Sequence, residues 1–279
     1  MPEHRSDCES QIKGFPNAKY QKFNTAAEAE AFVHGGPVAA PRGQTPAPVV
    51  VASKPDVTSP PQAVIQKPEE DEVGWDVVYS DGACRGNGKD GALAGIGVWW
   101  GRNDPRNLSE RCPGDQTNNR AELIAIARVL ETTAPGPKPL LIKTDSQYSI
   151  NCFHQWLPNW TRNNWRAASG QPVKNKELIQ YLAALLEARA RAGKVRLKYV
   201  AGHAGVEGNE GGDALAVAGA YLPAQPERDW AGLRRGVEEG VKAVQAMKSV
   251  PKPLPVEFEV YESDLWSDEE MERIMREEQ

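Results

Sequence analysis

"QTNNRAELIAIARVL", Gln116 to Leu130, is the stretch on which the reading of the fold turns. Leu123, Ile126, Ala127 and Leu130 recur at the spacing of one helical stripe, so the segment reads as an amphipathic helix laid against an apolar surface. Glu122 stands at the head of that helix, beside the stripe. An acid in the first turn complements the helix dipole, and for an isolated Glu that explanation suffices. The acids elsewhere in the chain give Glu122 a second reading.

Working outward, "WDVVYS" (75–80) is a short strand-like run, Gly86 to Gly91 form a turn-rich loop, and "ALAGIGVWW" (92–100) reads as a second strand. "NLSERC" (107–112) is a third. After the helix come a Pro-rich stop at 135–139, a buried strand "LLIKT" (140–144) and helical residues from Ser146 to about Trp156. "KELIQYLAALLEARARA" (176–192) is a helix with Ile179, Leu182, Leu185 and Leu186 on one side. "KVRLKYV" (194–200) alternates Val195, Leu197 and Tyr199 as a strand with one solvated face, and a last helix covers roughly 209–220. The order β-β-β-α-β-α-α-β-α predicts an α/β fold, a mixed sheet with helices against it.

Carboxylates sit where these elements end. Asp81 follows the first strand in "VVYSDG", Asp145 follows the fourth in "LLIKTDS", Glu122 opens one helix, and Asp213 lies in the first turn of another, "GNEGGDALA". Singly, Asp81–Gly82 is an ordinary turn and Asp145–Ser146 an ordinary N-cap. Jointly they converge on one edge of the sheet, where ligands bind. Two carboxylates about 4 Å apart repel by roughly 4 kcal/mol at an effective dielectric near 20. Such a cluster raises its own pKa values or binds hard cations. Oxygen donors without clustered His or Cys point to Mg²⁺ or Mn²⁺ over zinc. Two such ions about 3.5–4 Å apart suit phosphodiester cleavage.

Composition agrees with a globular protein: 279 residues, 40% hydrophobic and 25% charged, enough for one or two domains. No apolar run approaches the roughly 20 residues of a membrane helix, and the polar N-terminus has no secretory core. Cys8, Cys84, Cys112 and Cys152 are scattered without a CxxC pair, which favours reduced thiols. The expected location is therefore the nucleus, the cytoplasm or both, with a mitochondrial form also compatible. The net charge of −5 is uneven: residues 72–222 carry 18 basic against 15 acidic side chains, and residues 223–279 carry 8 against 14.

"YSDGACRGNG", "AGIGVWWG", "TNNRAEL", "TDSQYSIN", "NKEL" and "GHAGVEGNEGGDALA" together resemble the type 1 ribonuclease H family across residues 73–222. The resemblance implies the ribonuclease H-like fold, a five-stranded mixed sheet flanked by helices. It also implies hydrolysis of the RNA strand of RNA–DNA hybrids with two Mg²⁺ ions (Mn²⁺ as substitute), leaving 5′-phosphate and 3′-hydroxyl ends. Carried over residue by residue, Asp81 would bridge both ions, Asp213 would complete the site of the ion that activates water, and Glu122 and Asp145 would hold the other. His203, in the glycine-flanked loop "AGHAG", would aid proton movement or product release. Asn87, Asn118 and Asn119 would read the minor groove, and Glu122 would also accept from a 2′-hydroxyl, the group that distinguishes RNA from DNA. Tyr148 and Trp156 would contact the DNA strand, and Thr117 and Asn175 would belong to a phosphate pocket. Asp115 stands where the family usually has an arginine. A non-catalytic hybrid-binding adaptor is the alternative, and it would be expected to lack at least one of the four acids.

The loop 147–177 fits such a role from its residues alone. It interleaves Tyr148, Trp156, Trp160 and Trp165 with Arg162, Arg166, Lys174 and Lys176, a mixture suited to sugar and phosphate contacts. "CESQIKGFPNAKYQKFNTAAEAEAFV" (8–33) resembles the second half of the eukaryotic hybrid-binding domain, so residues 1–34 read as a truncated form of it. That length falls below the roughly 40 residues at which unaided folding becomes unfavourable. Residues 35–72 hold eight prolines and read as a Pro-rich disordered linker. Residues 223–250 form an amphipathic helical extension with Trp230, Leu233, Val237, Val241 and Val244 on one stripe. Packing against the catalytic domain is its plainer reading, and a protein partner is the alternative. Residues 251–279 are an acidic tail in which "SDEE" (267–270) reads as a capping box. The expected partner is an RNA–DNA hybrid, with no membrane, and the expected state a monomer.

Overall fold

The computed structural model describes residues 72–167, 169–247, 253–261, 265–267, 269–271 and 273. The hybrid-binding segment expected at 1–34 and all but the last residue of the expected linker lie outside the described residues. Strands β1 (Asp76–Arg85), β2 (Leu93–Trp99) and β3 (Leu108–Arg111) form an antiparallel meander. Helix α1 (Asn118–Thr132) then crosses to β4 (Leu140–Thr144), which pairs parallel to β1. Helix α2 (Gln147–Asn151) runs through a π-helical turn (Cys152–Trp156) into α3 (Leu157–Arg162), so the helical segment ends later than Trp156. Helix α4 (Lys176–Ala192), strand β5 (Val195–Tyr199), helix α5 (Glu207–Gly219) and helix α6 (Trp230–Met247) follow.

β1 departs most from its sequence reading. Asp81 is not at the end of the strand but inside it, paired with Gly97 of β2, and the strand continues to Arg85. Asp-Gly reads locally as a turn, but Gly82 is here for a close approach. A Cβ on Gly82 would lie 2.3 Å from the backbone nitrogen of Glu122, so only glycine lets the head of α1 lie on β1. Gly97 does the same for α5, where a Cβ would meet the Gly212 carbonyl oxygen at 2.1 Å. These contacts seat α1 on β1 and α5 on β2.

The core lies between the sheet and its helices. Val78, Ile96, Val98, Leu140, Ile142 and Leu197 come from the strands, Leu123 and Ile126 from α1, and Leu178, Ile179 and Leu182 from α4, all 1% exposed or less. Helix α6 packs on α4, with the Trp230 and Tyr181 rings 5.9 Å apart and Trp230 only 4% exposed. Leu233 and Val237 continue the contact, while Val244 at the far end is 55% exposed.

Among the described residues the sheet has six strands rather than five, in the order β3-β2-β1-β4-β5-β6. The sixth, β6 (Glu257–Glu259), comes from the acidic tail and pairs parallel to β5. Its acids face cations in register: Glu257 lies 2.9 Å from Arg196, and Glu259 lies 3.2 Å from Arg196 and 2.8 Å from Lys198. Cross-strand opposite charges of this kind favour pairing. Behind them the buried carboxylate of Glu72 lies 2.7 Å from Lys143 and 3.4 Å from Lys198. The capping box forms as expected, with Ser267 N–H donating to Glu270 Oε2 (2.8 Å) and Glu270 N–H to Ser267 Oγ (3.2 Å).

Candidate active site

Asp81 from mid-β1, Glu122 from the first turns of α1 and Asp145 just past β4 come together. One carboxylate oxygen from each lies within 4.8 Å of the other two. Asp81 and Glu122 are each 5% exposed, and Asp145 is half-buried. The hydrogen bonds to this cluster come from neutral donors. Gly82 N–H donates to Glu122 Oε2 (3.1 Å), the Asn118 amide to Glu122 Oε1 (3.4 Å), and the Asn209 amide to Asp145 Oδ2 (2.9 Å).

Burial and mutual repulsion therefore act with little compensation. Loss of solvent, then the charges of Asp145 and Asp213, push the Asp81 carboxyl up to about 8. Glu122 is raised well above the carboxylate range by burial first, then by Asp81 and Asp145, against the donors Gly82 and Asn118. Crowded buried oxygens without a cationic side chain in the cluster are a fitting donor set for a hard divalent cation. The residues present fit the metal that the sequence implies.

Asp213, half-exposed on α5, is the one acid outside this shared reach, although its charge is felt at Asp81. His203 lies on the surface in the left-handed region (φ 52°) of the loop after β5. Asn209 was not singled out from the sequence. Its position one helical turn before Asp213 was the available signal, and only the structure reveals that its amide orients Asp145.

The expected nucleic-acid residues divide into two groups. Asn87, Asn118 and Thr117 cluster at the head of α1: Asn87 Oδ1 accepts from Asn118 N–H (3.0 Å), and Thr117 caps the helix by accepting from Arg120 N–H (3.4 Å). Asn119 beside them is 7% exposed. Asn175, with φ 54° at the head of α4, accepts from Arg120 Nη1 (3.0 Å). Arg120, unassigned from the sequence, is buried and also pairs with Glu227 at 2.5 Å, while Asp115 is exposed. The second group corrects an expectation. Tyr148 and Trp156 are not surface aromatics; they are 2% and 1% exposed and pack edge to face with ring centroids 6.0 Å apart. The π-helical turn and the packing of Trp160 and Trp266 around Trp156 account for this burial.

Comparison with known proteins agrees with this geometry. The RNase H family profile matches residues 75–221, and the profile of the ribonuclease H1 N-terminal domain matches residues 4–33. Ribonuclease H1 of Mus musculus is 34% identical over 245 residues, covering 77% of this chain and 83% of its own. Ribonuclease H of Schizosaccharomyces pombe is 47% identical over 145 residues, covering 52% of each chain. Among solved structures, LC9-RNase H1, described as a type 1 RNase H with the type 2 active-site motif, aligns at 24% identity with a TM-score of 0.42, over 64% of this chain and 87% of that one. By the family profiles and its ribonuclease H1 relatives, the chain belongs to the ribonuclease H family of hydrolases, as a type 1 member with an N-terminal hybrid-binding segment.

Proposed function

We propose that the protein is an endoribonuclease that hydrolyses the RNA strand of RNA–DNA hybrids with two Mg²⁺ ions, leaving 5′-phosphate and 3′-hydroxyl ends. The observation that carries this reading is the meeting of Asp81, Glu122 and Asp145 oxygens within 4.8 Å in a buried setting. Asp81, Glu122, Asp145 and Asp213 would hold the ions, which when bound supply an activated water and charge neutralisation at the leaving oxygen.

The chain's own groups prepare that site. Asn118 and Gly82 fix the Glu122 carboxylate, and Asn209 fixes that of Asp145, so the ligands need little reorganisation. Asn87, Asn118 and Asn119 lie beside Glu122 and suit contacts to 2′-hydroxyls in a minor groove. Thr117 and Asn175, tied through Arg120, suit a backbone phosphate. His203, exposed on its loop, takes or gives a proton as product leaves.

Labelled RNA–DNA, double-stranded RNA and double-stranded DNA incubated with Mg²⁺ or EDTA test the reading. Cleavage confined to the RNA of the hybrid and abolished by EDTA is the expected result. Asp81→Asn or Asp145→Asn should lower cleavage by about 10³-fold or more while hybrid binding persists. Near-normal turnover in either variant would remove the two-ion proposal.

A further inference from the structure

Among the described residues, four contacts hold the C-terminal tail against the helical segment that carries Tyr148 and Trp156. Phe258 of β6 lies 5.4 Å from the His154 ring, and Trp266 lies 6.3 Å from Trp156, centroid to centroid. The indole N–H of Trp266 donates to Gln147 Oε1 (2.6 Å), two residues from Asp145, and its backbone N–H donates to Asn151 Oδ1 (3.0 Å). Met271, one turn on, is buried at 3% exposure. The described residues of the tail are acidic on balance: Glu257, Glu259, Glu269 and Glu270 stand against Arg273.

We infer that the described part of this tail, β6 with Trp266 and Met271, is an autoinhibitory strap, docked beside the acidic site in the resting molecule and displaced when a hybrid binds. The inference rests on the proposed nuclease function, in which a hybrid must reach Asp145, two residues from the Gln147 that Trp266 holds. A polyanionic strand cannot approach a face already occupied by acidic chain without strong repulsion. The docking is built to yield. β6 is only three residues long, and it is held by the pairing of its acids with Arg196 and Lys198 at the sheet edge, where salt and a competing polyanion weaken ion pairs. The buried Trp156 Nε1–H finds no acceptor among the described residues, so the covered state carries an unmet donor.

The test compares the full-length wild type with full-length Trp266→Ala and with the Glu257→Gln/Glu259→Gln double variant, using labelled RNA–DNA and Mg²⁺. A strap docked about nine-tenths of the time weakens apparent affinity about tenfold, so either variant should lower KM by about five- to tenfold with kcat within about twofold. Hydrogen exchange supplies a readout that survives a poorly folding variant. In Asp145→Asn protein, adding hybrid should accelerate exchange at the amides of Glu257, Phe258 and Glu259. An unchanged or raised KM in well-folded variants, or slower exchange at those amides, overturns the strap. If the wild type cleaves hybrids and neither KM nor exchange moves, the strap alone is lost. A chain that neither binds nor cleaves hybrids, with Trp266 or without it, fails the nuclease reading and takes the strap with it.

Discussion

Asp81 illustrates how a crowded, buried carboxylate weighs on stability. Its carboxyl ordinarily ionises near 3.8, and in the folded chain burial, then Asp145 and Asp213, raise it to about 8. Folding therefore takes up a proton between those values. The stability tied to the protonated form is complete below about pH 4 and is lost as pH rises through 8. Asp81→Asn cannot ionise, so metal-free variant and wild type should melt alike near pH 4. Near pH 8 the variant should melt higher by several degrees, as differential scanning calorimetry in EDTA would measure. Equal melting temperatures at both pH values would mean the burial is relieved in solution. Asp115 offers a second test. It is exposed beside Thr117, while the buried cation of the neighbourhood, Arg120, is committed to Glu227 and Asn175. Asp115→Arg should therefore tighten hybrid binding and steepen the log–log salt slope by about one. Titrations at several salt concentrations check it, and an unchanged slope would mean that no phosphate sits there.

The elements were unevenly legible in the sequence, for physical reasons. α4 matches its periodic pattern residue for residue, and α1 lies where its apolar stripe put it, because both stripes face one continuous core. β1 was cut short because Asp81–Gly82 has the local chemistry of a turn, whereas its true determinant, the backbone of α1 pressing on Gly82, lies forty residues away. The three clustered acids could be named from the motifs that hold them; the weaker approach of Asp213 and the orienting role of Asn209 depend on how α5 seats on the sheet. β6 escaped notice because alternating Glu and apolar residues resemble a solvated tail until Arg196 and Lys198 stand opposite. The junction of β1 and α1 makes its own prediction. Gly82→Ala would drive a methyl into backbone on a neighbouring element, and overpacking of that sort costs about 3 kcal/mol or more. Urea unfolding would register the loss, and a variant as stable as wild type would show that α1 can shift without penalty.

On the scale of the whole molecule, charge is sorted by region. A chain with net charge −5 keeps a surplus of base in residues 72–222 and gathers its acid in residues 223–279, so the overall isoelectric point conceals the basic surplus of the central segment. The extension and the tail are not appendages to this arrangement: Trp230 seals α4, and β6 completes the sheet beside β5. That last pairing has a consequence for handling the protein. An open strand edge is a template for the next molecule, and natural sheets hide theirs under short or charged strands. Here the concealment hangs on three residues. A preparation nicked between α6 and β6 should lose that cover and self-associate edge to edge as it is concentrated. Light scattering across a dilution series would detect the growth, whereas uncut protein stays monodisperse.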